Sequence, residues 1–350
     1  MLSISTDQLS LWVNQVLMAT DMPESAAAIV ASNLVQTSLW AIDSHGVSRV
    51  PHYLNRLTGG TINPRPQLQF TETGAATGQL DGNHGLGIFV CNFAMEKAIS
   101  LARNAGVGIV GISNSSHCGA IGLYTRQACL AGMIGIAFTH TDALVVPHLG
   151  KKAFFGTNPI SIGIPSMIVD QPLCVDMATS IVPWNRIVNA RRDGGAIARG
   201  LAVNSEGEDT EELTEMVALK PIAEHKGYAL GFMIDMLCGP LNGMAFGPHV
   251  TNMYKDLDQN RCLGSLMIAI DPQRFAGGAL LSQVVTQAIE EVKAQGEAIL
   301  FPGEPEYKAA KNRRELGIPI EPVLALEFSD WSEKLGVAAP KYSVSLSGRY

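Results

Sequence analysis

The stretch 106–122, GVGIVGISNSSHCGAIG, decides the fold, and it opens with an apparent nucleotide-binding signature. Gly106, Gly108 and Gly111 match G-x-G-x-x-G. A dinucleotide fingerprint must lie between a strand and a helix, so that pyrophosphate meets the helix N-terminus. Here a helix predicted over 88–104 precedes the glycines, and they fall within the strand candidate 107–112. Gly106 therefore reads as a helix C-cap leading into a buried strand, and no other segment makes a better Rossmann turn. The geometry the fingerprint needs comes a few residues later. Asn114 to Gly122 follows that strand and precedes a helix predicted over 120–131. Such a turn aims free backbone N–H groups at an anion. Small residues at 118–120 let a ligand approach the backbone, and His117 stands at the strand's carboxyl end, where α/β ligand sites gather.

Outward from this turn, short apolar runs alternate with helical stretches. Further strand candidates are 134–138, 160–164, 173–175, 201–203, 266–270 and 299–301. Interleaved strands and helices argue for an α/β layered domain. The two chain ends read differently. Ser5 to Asp7 caps a first helix, a second opens after Pro23, and polar helical patterns return over 307–316 and 322–335. The last ten residues, 341–350, read as a loose tail. Helical ends around an α/β middle suggest a discontinuous helical domain for substrate binding and dimerisation, 1–70 with 306–350, enclosing a cofactor-binding domain over 71–305.

Composition excludes several classes of function. Hydrophobic residues make up 47% and charged residues 16% of the 350, far from the signature of disorder. A net charge of −7, with no long Lys/Arg block, argues against a nucleic-acid partner. Six acids within 206–215 read as a solvated loop. No apolar run reaches the roughly 18 to 20 residues of a membrane span. The start, MLSISTDQLSLWVNQ, lacks the basic flank and apolar block of a secretory signal. The six cysteines are dispersed without a CxxC pair, so reduced thiols in the cytoplasm and no metal site are expected.

Several polar turns carry candidate chemistry. Asp43-Ser44-His45-Gly46 puts a carboxylate, a hydroxyl and an imidazole in one turn, as a helix cap or as a tuned acid–base histidine. Arg49 follows four residues after His45, with the forked donor geometry that grips a carboxylate. Gly156-Thr-Asn-Pro159 and Asp176-Met177-Ala178 follow apolar strands. His225-Lys226 opens a long apolar helix, where a cation is unfavourable unless an anionic ligand is near. Pro302-Gly303-Glu304 could be an ordinary turn or could reach a ribose.

Taken together and in this order, DSHGVSRVPHY, NSSHCGAIG, FGTNPISIGIP, VDMATS, HKGYALGFMIDMLCG, FGPHVTNMYKDL and LFPGEPE resemble the malate/L-lactate dehydrogenase family of the non-Rossmann type. They spread over about residues 43 to 306. The resemblance implies a three-layer α/β/α domain with a mixed sheet, a helical domain and a homodimer. It implies oxidation of a small 2-hydroxy acid with NAD, NADP being the alternative, or the reverse reduction.

His45 matches the family's proton carrier and Ser44 its relay partner, and His117 matches the second histidine, to which the ureidoglycolate branch credits the proton transfer. Arg49 matches the arginine that holds the substrate carboxylate; Tyr53 and Thr141 fall beside the substrate. Cys118, Gly119, Ala120, Ile121 and Gly122 match the loop around the cofactor phosphates. Asp176, Met177, Ala178, Lys226, Gly303 and Glu304 match further cofactor contacts. Two departures stand out. Asn185-Arg186 replaces a glycine–lysine pair, and Ile222-Ala223-Glu224 replaces glycines before the HKG motif. The expected function is thus a histidine-catalysed 2-hydroxy acid dehydrogenase. A cyclic-imine reductase of the piperideine-2-carboxylate type and a catalytically silent relative are the rivals.

Overall fold

The computed structural model describes residues 2–168 and 170–344. Its centre is the helix–strand unit read from the glycine run. The helix Gly87–Ala105 is followed by Gly106, whose φ of +88° ends it in the left-handed region that glycine tolerates. Gly108 then lets the strand press on that helix, because a Cβ there would lie 1.9 Å from the Ala98 carbonyl oxygen. These glycines serve packing rather than a phosphate.

In chain order the elements are β1 (Leu2–Ile4), α1 (Thr6–Met18), α2 (Glu24–Leu39) and α3 (Val50–Thr58). The middle holds β2 (Gln69–Gly74), β3 (Thr77–Asp81), α4 (Gly87–Ala105), β4 (Val107–Ser115), α5 (Gly122–Leu130), β5 (Ile134–Thr139), β6 (Ile160–Ile164) and β7 (Leu173–Met177). Then come α6 (Trp184–Asp193), β8 (Ala202–Val203), β9 (Ala218–Leu219), α7 (His225–Cys238), β10 (Leu263–Ile270) and α8 (Gly278–Lys293). The chain closes with α9 (Glu304–Leu316), β11 (Ile318–Ile320), α10 (Pro322–Leu335) and β12 (Ser343–Val344).

Seven strands form one mixed sheet in the order β2-β3-β4-β10-β5-β6-β7. Only β3 and β4 run parallel; every other pair is antiparallel. A doubly wound dinucleotide fold needs parallel strands with helical crossovers, so this order excludes it. On one face α4 and α5 bury Val110, Ile112, Ala137, Met267 and Ala269 in the main core. On the other, α7 crosses β10 and β5, close enough that a Cβ on Gly264 would meet the Cys238 carbonyl at 1.9 Å.

The rest of that second face is apolar and uncovered. Ile109, Ile268, Ile136 and Ile162 stand directly opposite one another across four strands, with Val175 next in line. Cross-strand partners share a face, and all five are partly or fully exposed. Helix α8 stands beside this face with Leu280, Val284 and Val292 in solvent, leaving an apolar groove against Ile134 and Ile270.

The chain ends come together as the terminal helices required, with differences in detail. β1 pairs antiparallel with both β11 and β12, a small sheet absent from the sequence reading. Ser343 and Val344 are therefore paired, where a loose tail was expected; residues 345–350 lie outside those described. Trp12 stacks on Phe328 at 4.2 Å and donates to Ser332 Oγ at 2.9 Å. The strand expected over 299–301 does not form: Phe301 is buried, but its N–H is taken by the Glu304 carboxylate and not by a strand. Hairpin β2–β3 went unseen because its outer strand is mostly exposed and lacks an apolar alternation.

Candidate active site

A pocket of about 320 Å³ lies at the carboxyl end of β4, where the 118–122 turn meets the segment after α2. That segment does not run on as a helix. It makes two single 3₁₀ turns, Asp43–His45 and Val47–Arg49, set by an intervening Gly46 that packs on Ser38. Asp43 caps nothing; its carboxylate holds the buried Arg313 of α9 at 2.5 and 2.9 Å, tying the turn to the other chain end. The turns thereby aim Ser44, His45 and Arg49 into the pocket, facing His117.

The two imidazoles lie nearly parallel with ring centroids 5.6 Å apart. Each is oriented by its own partner. Ser44 Oγ lies 2.8 Å from His45 Nδ1. Tyr53 Oη lies 2.6 Å from His117 Nδ1, and the Gly119 N–H donates to the same nitrogen at 3.3 Å. A backbone N–H can only donate, so Nδ1 of His117 is the acceptor and its proton sits on Nε2. Burial pushes His45 down to about 3, with Arg49 adding to the shift. His117 is pushed down by burial first, then by Arg49 and His45. Both rings are neutral near pH 7.

Arg49 is itself held by the Ser44 carbonyl, which accepts from Nε at 2.5 Å, and by the Tyr254 hydroxyl. Thr141 lines the same pocket, its N–H bonded to Asn158 Oδ1 at 3.2 Å. Asn158 and His140 rest on the fully buried Asp235, whose carboxylate also accepts the Gly247 N–H at 2.9 Å.

Gly119, Ala120, Ile121, Asp176, Met177 and Ala178 also line the pocket. Gly122 opens α5 and donates its N–H to Asp176 Oδ2 at 2.7 Å; a Cβ there would lie 2.9 Å from that oxygen. Burial pushes Asp176 up to about 6, against the opposing pull of the Gly122 N–H and Arg126. Cys118 is buried behind the turn. Lys226 is exposed in the first turn of α7, and neither it nor Gly303 or Glu304 lines this pocket. The Glu304 carboxylate is engaged by Lys293 at 2.5 Å and Lys308 at 3.0 Å. Asn185 reaches the pocket wall, whereas Arg186 faces solvent.

The loop between α7 and β10 entered the sequence reading only through the motif FGPHVTNMYKDL, with no role given to Tyr254 or Arg261. It brings Tyr254 and the buried Arg261 to the pocket, with Asp142 as the latter's partner at 2.8 Å. Arg261 sits in QNRCLG, a polar turn without periodicity, so nothing local marks it.

The buried imidazoles make stability acid-sensitive. His52, beside the pocket, is also pushed down to about 3, first by burial and then by Arg56. An unfolded histidine titrates near 6.5. Between that value and about 3 the unfolded chain binds protons that folded His45 and His52 refuse, so stability is full above pH 6.5 and falls with pH. Asp176 works the other way, since its raised value relieves the fold as pH drops below about 6. Three lowered imidazoles outweigh the raised Asp176 and Glu96 carboxyls. The melting temperature by circular dichroism is expected to fall steadily from pH 7 to pH 5; a flat profile would contradict neutral burial.

Comparison with known proteins follows the same lines. The family model described as malate/L-lactate dehydrogenase matches residues 4–328. An L-sulfolactate dehydrogenase from Methanothermobacter thermautotrophicus is 38% identical over 312 residues, 88% of this chain and 90% of that protein. A ureidoglycolate dehydrogenase (NAD(+)) from Escherichia coli K12 is 36% identical over 308 residues, 87% and 88% of the two chains. The solved sulfolactate dehydrogenase from Methanocaldococcus jannaschii superposes with a TM-score of 0.89 at 32% identity, covering 96% of this chain and 98% of that one.

Proposed function

Because the chain belongs to the malate/L-lactate dehydrogenase family, we propose that it interconverts a 2-hydroxy acid and its 2-oxo acid with NAD, or alternatively NADP, as hydride carrier. The observation that carries this reading is the pair of neutral, parallel imidazoles beside a buried arginine in one pocket. Arg49 takes the substrate carboxylate and fixes the carbinol carbon between the histidines and the far wall. His45 Nδ1–H donates to Ser44 Oγ, which leaves Nε2 free to accept the hydroxyl proton. His117 keeps its proton on Nε2 and donates a hydrogen bond to the same oxygen, held by Tyr53. As charge develops on that oxygen, this donor stabilises it. Tyr53 thus supports from behind, and Thr141 closes the substrate side.

The nicotinamide cofactor supplies the hydride acceptor when bound. Residues present suit it: the Ala120 and Ile121 N–H groups at the start of α5 have no protein acceptor among the described residues, which fits a phosphate. In this reading residues 118–122 and 176–178 hold the cofactor, Lys226 approaches its phosphates, and Gly303-Glu304 completes the outer edge. We assign substrate binding to the unit built from residues 1–70 with 306–350, and cofactor binding to 71–305. Six unpaired cysteines suit a reducing, cytoplasmic setting. Nicotinamide absorbance with a panel of 2-hydroxy acids, 2-oxo acids and piperideine-2-carboxylate tests the reading. Turnover of a hydroxy acid supports it, turnover of the imine alone shifts it to the reductase, and cofactor binding without turnover marks a silent relative.

The uncovered sheet face supports a homodimer. A row of five partly exposed aliphatic side chains lies beside an α8 with its own exposed leucine and valines, a contiguous apolar face of the kind that marks an interface. A second copy is the occupant we assign, since two-fold dimers bury the same patch on both partners. Ile136→Lys with Ile268→Glu is expected to turn a species of twice 37.3 kDa into a monomer by light scattering. A wild-type monomer with full activity would refute this.

A further inference from the structure

His148, Glu224 and His225 come together at the start of α7, away from the pocket described above. One imidazole nitrogen from each histidine and one carboxylate oxygen all lie within 4.8 Å of one another. The two rings meet edge to face with centroids 5.8 Å apart. Two separate pieces of chain supply the groups. His148 belongs to a turn closed by the Gly150 N–H on the Pro147 carbonyl at 2.7 Å. That turn is tied to β9 by the Val146 N–H, which donates to the Leu219 carbonyl at 3.0 Å. Glu224 immediately precedes α7, and His225 is its first residue. Among the described residues no hydrogen bond or ion pair engages any of the three side chains, so their ligating atoms are uncommitted. Ala223 and Glu224 both lie at positive φ, +47° and +55°, where the family that the sequence resembles has glycines. Non-glycine residues adopt that conformation at a cost. Glycine at 224 would relieve the backbone and remove the carboxylate, so the side chain is what this chain gains there.

We propose that His148, Glu224 and His225 bind a divalent transition-metal ion of the zinc, cobalt or nickel type, which bridges the turn at 147–150 to the start of α7. Two imidazoles and one carboxylate are a donor set that zinc takes at three-ligand sites, with a further position left to water. Imidazole nitrogen selects this class of ion over Mg²⁺ and Ca²⁺, which are held by oxygen. Ligands on a tetrahedral ion at roughly 2.0–2.1 Å stand about 3.4 Å from one another. From a widest separation of 4.8 Å, the groups therefore close by about 1.4 Å at most. Glu224 and His225 are exposed and His148 is half-buried, so rotation about side-chain bonds supplies that movement. Charge decides against an anion at the same place. A helix N-terminus draws negative charge, but the Glu224 carboxylate already stands there and would repel a second one. A cation is disfavoured by the helix dipole, and the same carboxylate offsets that. The dispersed cysteines argued against a metal site; this one uses none of them.

The test is isothermal titration calorimetry of the full chain, stripped with a chelator, using Zn²⁺ as the probe and excess Mg²⁺ as competitor. The wild type is expected to bind Zn²⁺ and Mg²⁺ is expected not to displace it. Co²⁺ serves as the optical probe, and is expected to show ligand-field bands without a sulfur-to-cobalt charge-transfer band. His148→Ala, His225→Ala and Glu224→Gln are each expected to weaken Zn²⁺ binding by at least about 10- to 100-fold, the loss that even a residue supporting a metal ligand produces. Circular dichroism melting without metal checks that each variant folds, and His148→Gln and His225→Gln stand in where an alanine variant does not. Bridging requires both pieces of chain to count. A loss on changing His225 with none on changing His148, or the reverse, overturns the inference. Unchanged affinity in all three variants overturns it too, since the ion is then scattered over surface groups. A sulfur-to-cobalt band that disappears in Cys262→Ser would place the ion instead on Cys262 and His84, whose Sγ and Nδ1 lie 3.9 Å apart. No Zn²⁺ binding by the wild type overturns the inference outright.

Discussion

His45→Ala is expected to lower kcat by about 10²- to 10⁴-fold, the usual cost of removing a general base, while NADH affinity stays within a few-fold. The separation follows from geometry. The His45 side chain faces the His117 ring and its Nδ1 is spent on Ser44, so its loss removes a proton acceptor and no proposed phosphate contact, which the backbone N–H groups of the 118–122 turn supply. His117→Ala is expected to cost a similar factor for a different reason: it removes the donor that stabilises the developing oxyanion and leaves the Tyr53 hydroxyl without its partner. The double variant should lose less than the product of the two, because groups acting on one oxygen are not independent. The pH profile tells them apart. The limb set by the base should vanish in His45→Ala and survive in His117→Ala. Steady-state kinetics in which both variants keep near wild-type kcat from mildly acidic to mildly alkaline pH would refute the assignment. Asp142, which accepts from Arg261 and Asn252, or Asp176 would be the next carboxylate to consider.

Asp235→Ala is expected to cost about 3–5 kcal/mol of stability, the range for stranding the partners of a buried charged network. Asp235 has no exposed surface and accepts from His140 Nδ1 at 3.3 Å, the Gly247 N–H at 2.9 Å and Asn158 Nδ2 at 3.4 Å. The Gly264 N–H donates to His140 Nε2, so that ring must carry its proton on Nδ1 and point it at Asp235. Removing the carboxylate therefore orphans three buried donors at once. Asp235→Asn should cost less, because one oxygen survives as acceptor while the new amide confronts a donor. The damage reaches the site through Asn158, which positions the Thr141 backbone in the pocket wall. A higher KM for substrate in the folded fraction of Asp235→Asn is the expected sign of that link. Urea unfolding with an unchanged midpoint in Asp235→Ala would show that the network is not holding the β5–α7 junction.

What the sequence determined by itself is local. The 88–105 helix, its glycine stop, the strand that follows and the anion-ready turn at 118–122 are each written in neighbouring residues, because caps, periodicity and small-residue turns act over one or two turns of chain. The Ser-His-Gly turn, Arg49 and His117 were legible for the same reason: each sits in a polar turn at the end of an apolar run. Tertiary structure decided what local pattern cannot encode. The insertion of β10 between β4 and β5, from some 130 residues downstream, makes the sheet mixed, and only pairing across that separation fixes it. The strand expected over 299–301 was lost to a competing partner, the Glu304 carboxylate. The pairing of Ser343 with Ser3 joins the two chain ends, a contact that no window of sequence contains. His148, Glu224 and His225 show the limit most sharply. Each is an ordinary residue in its own stretch of chain, and the three become one donor set only when folding brings position 148 beside 224 and 225, since a ligand set is defined by distances in space and not by sequence.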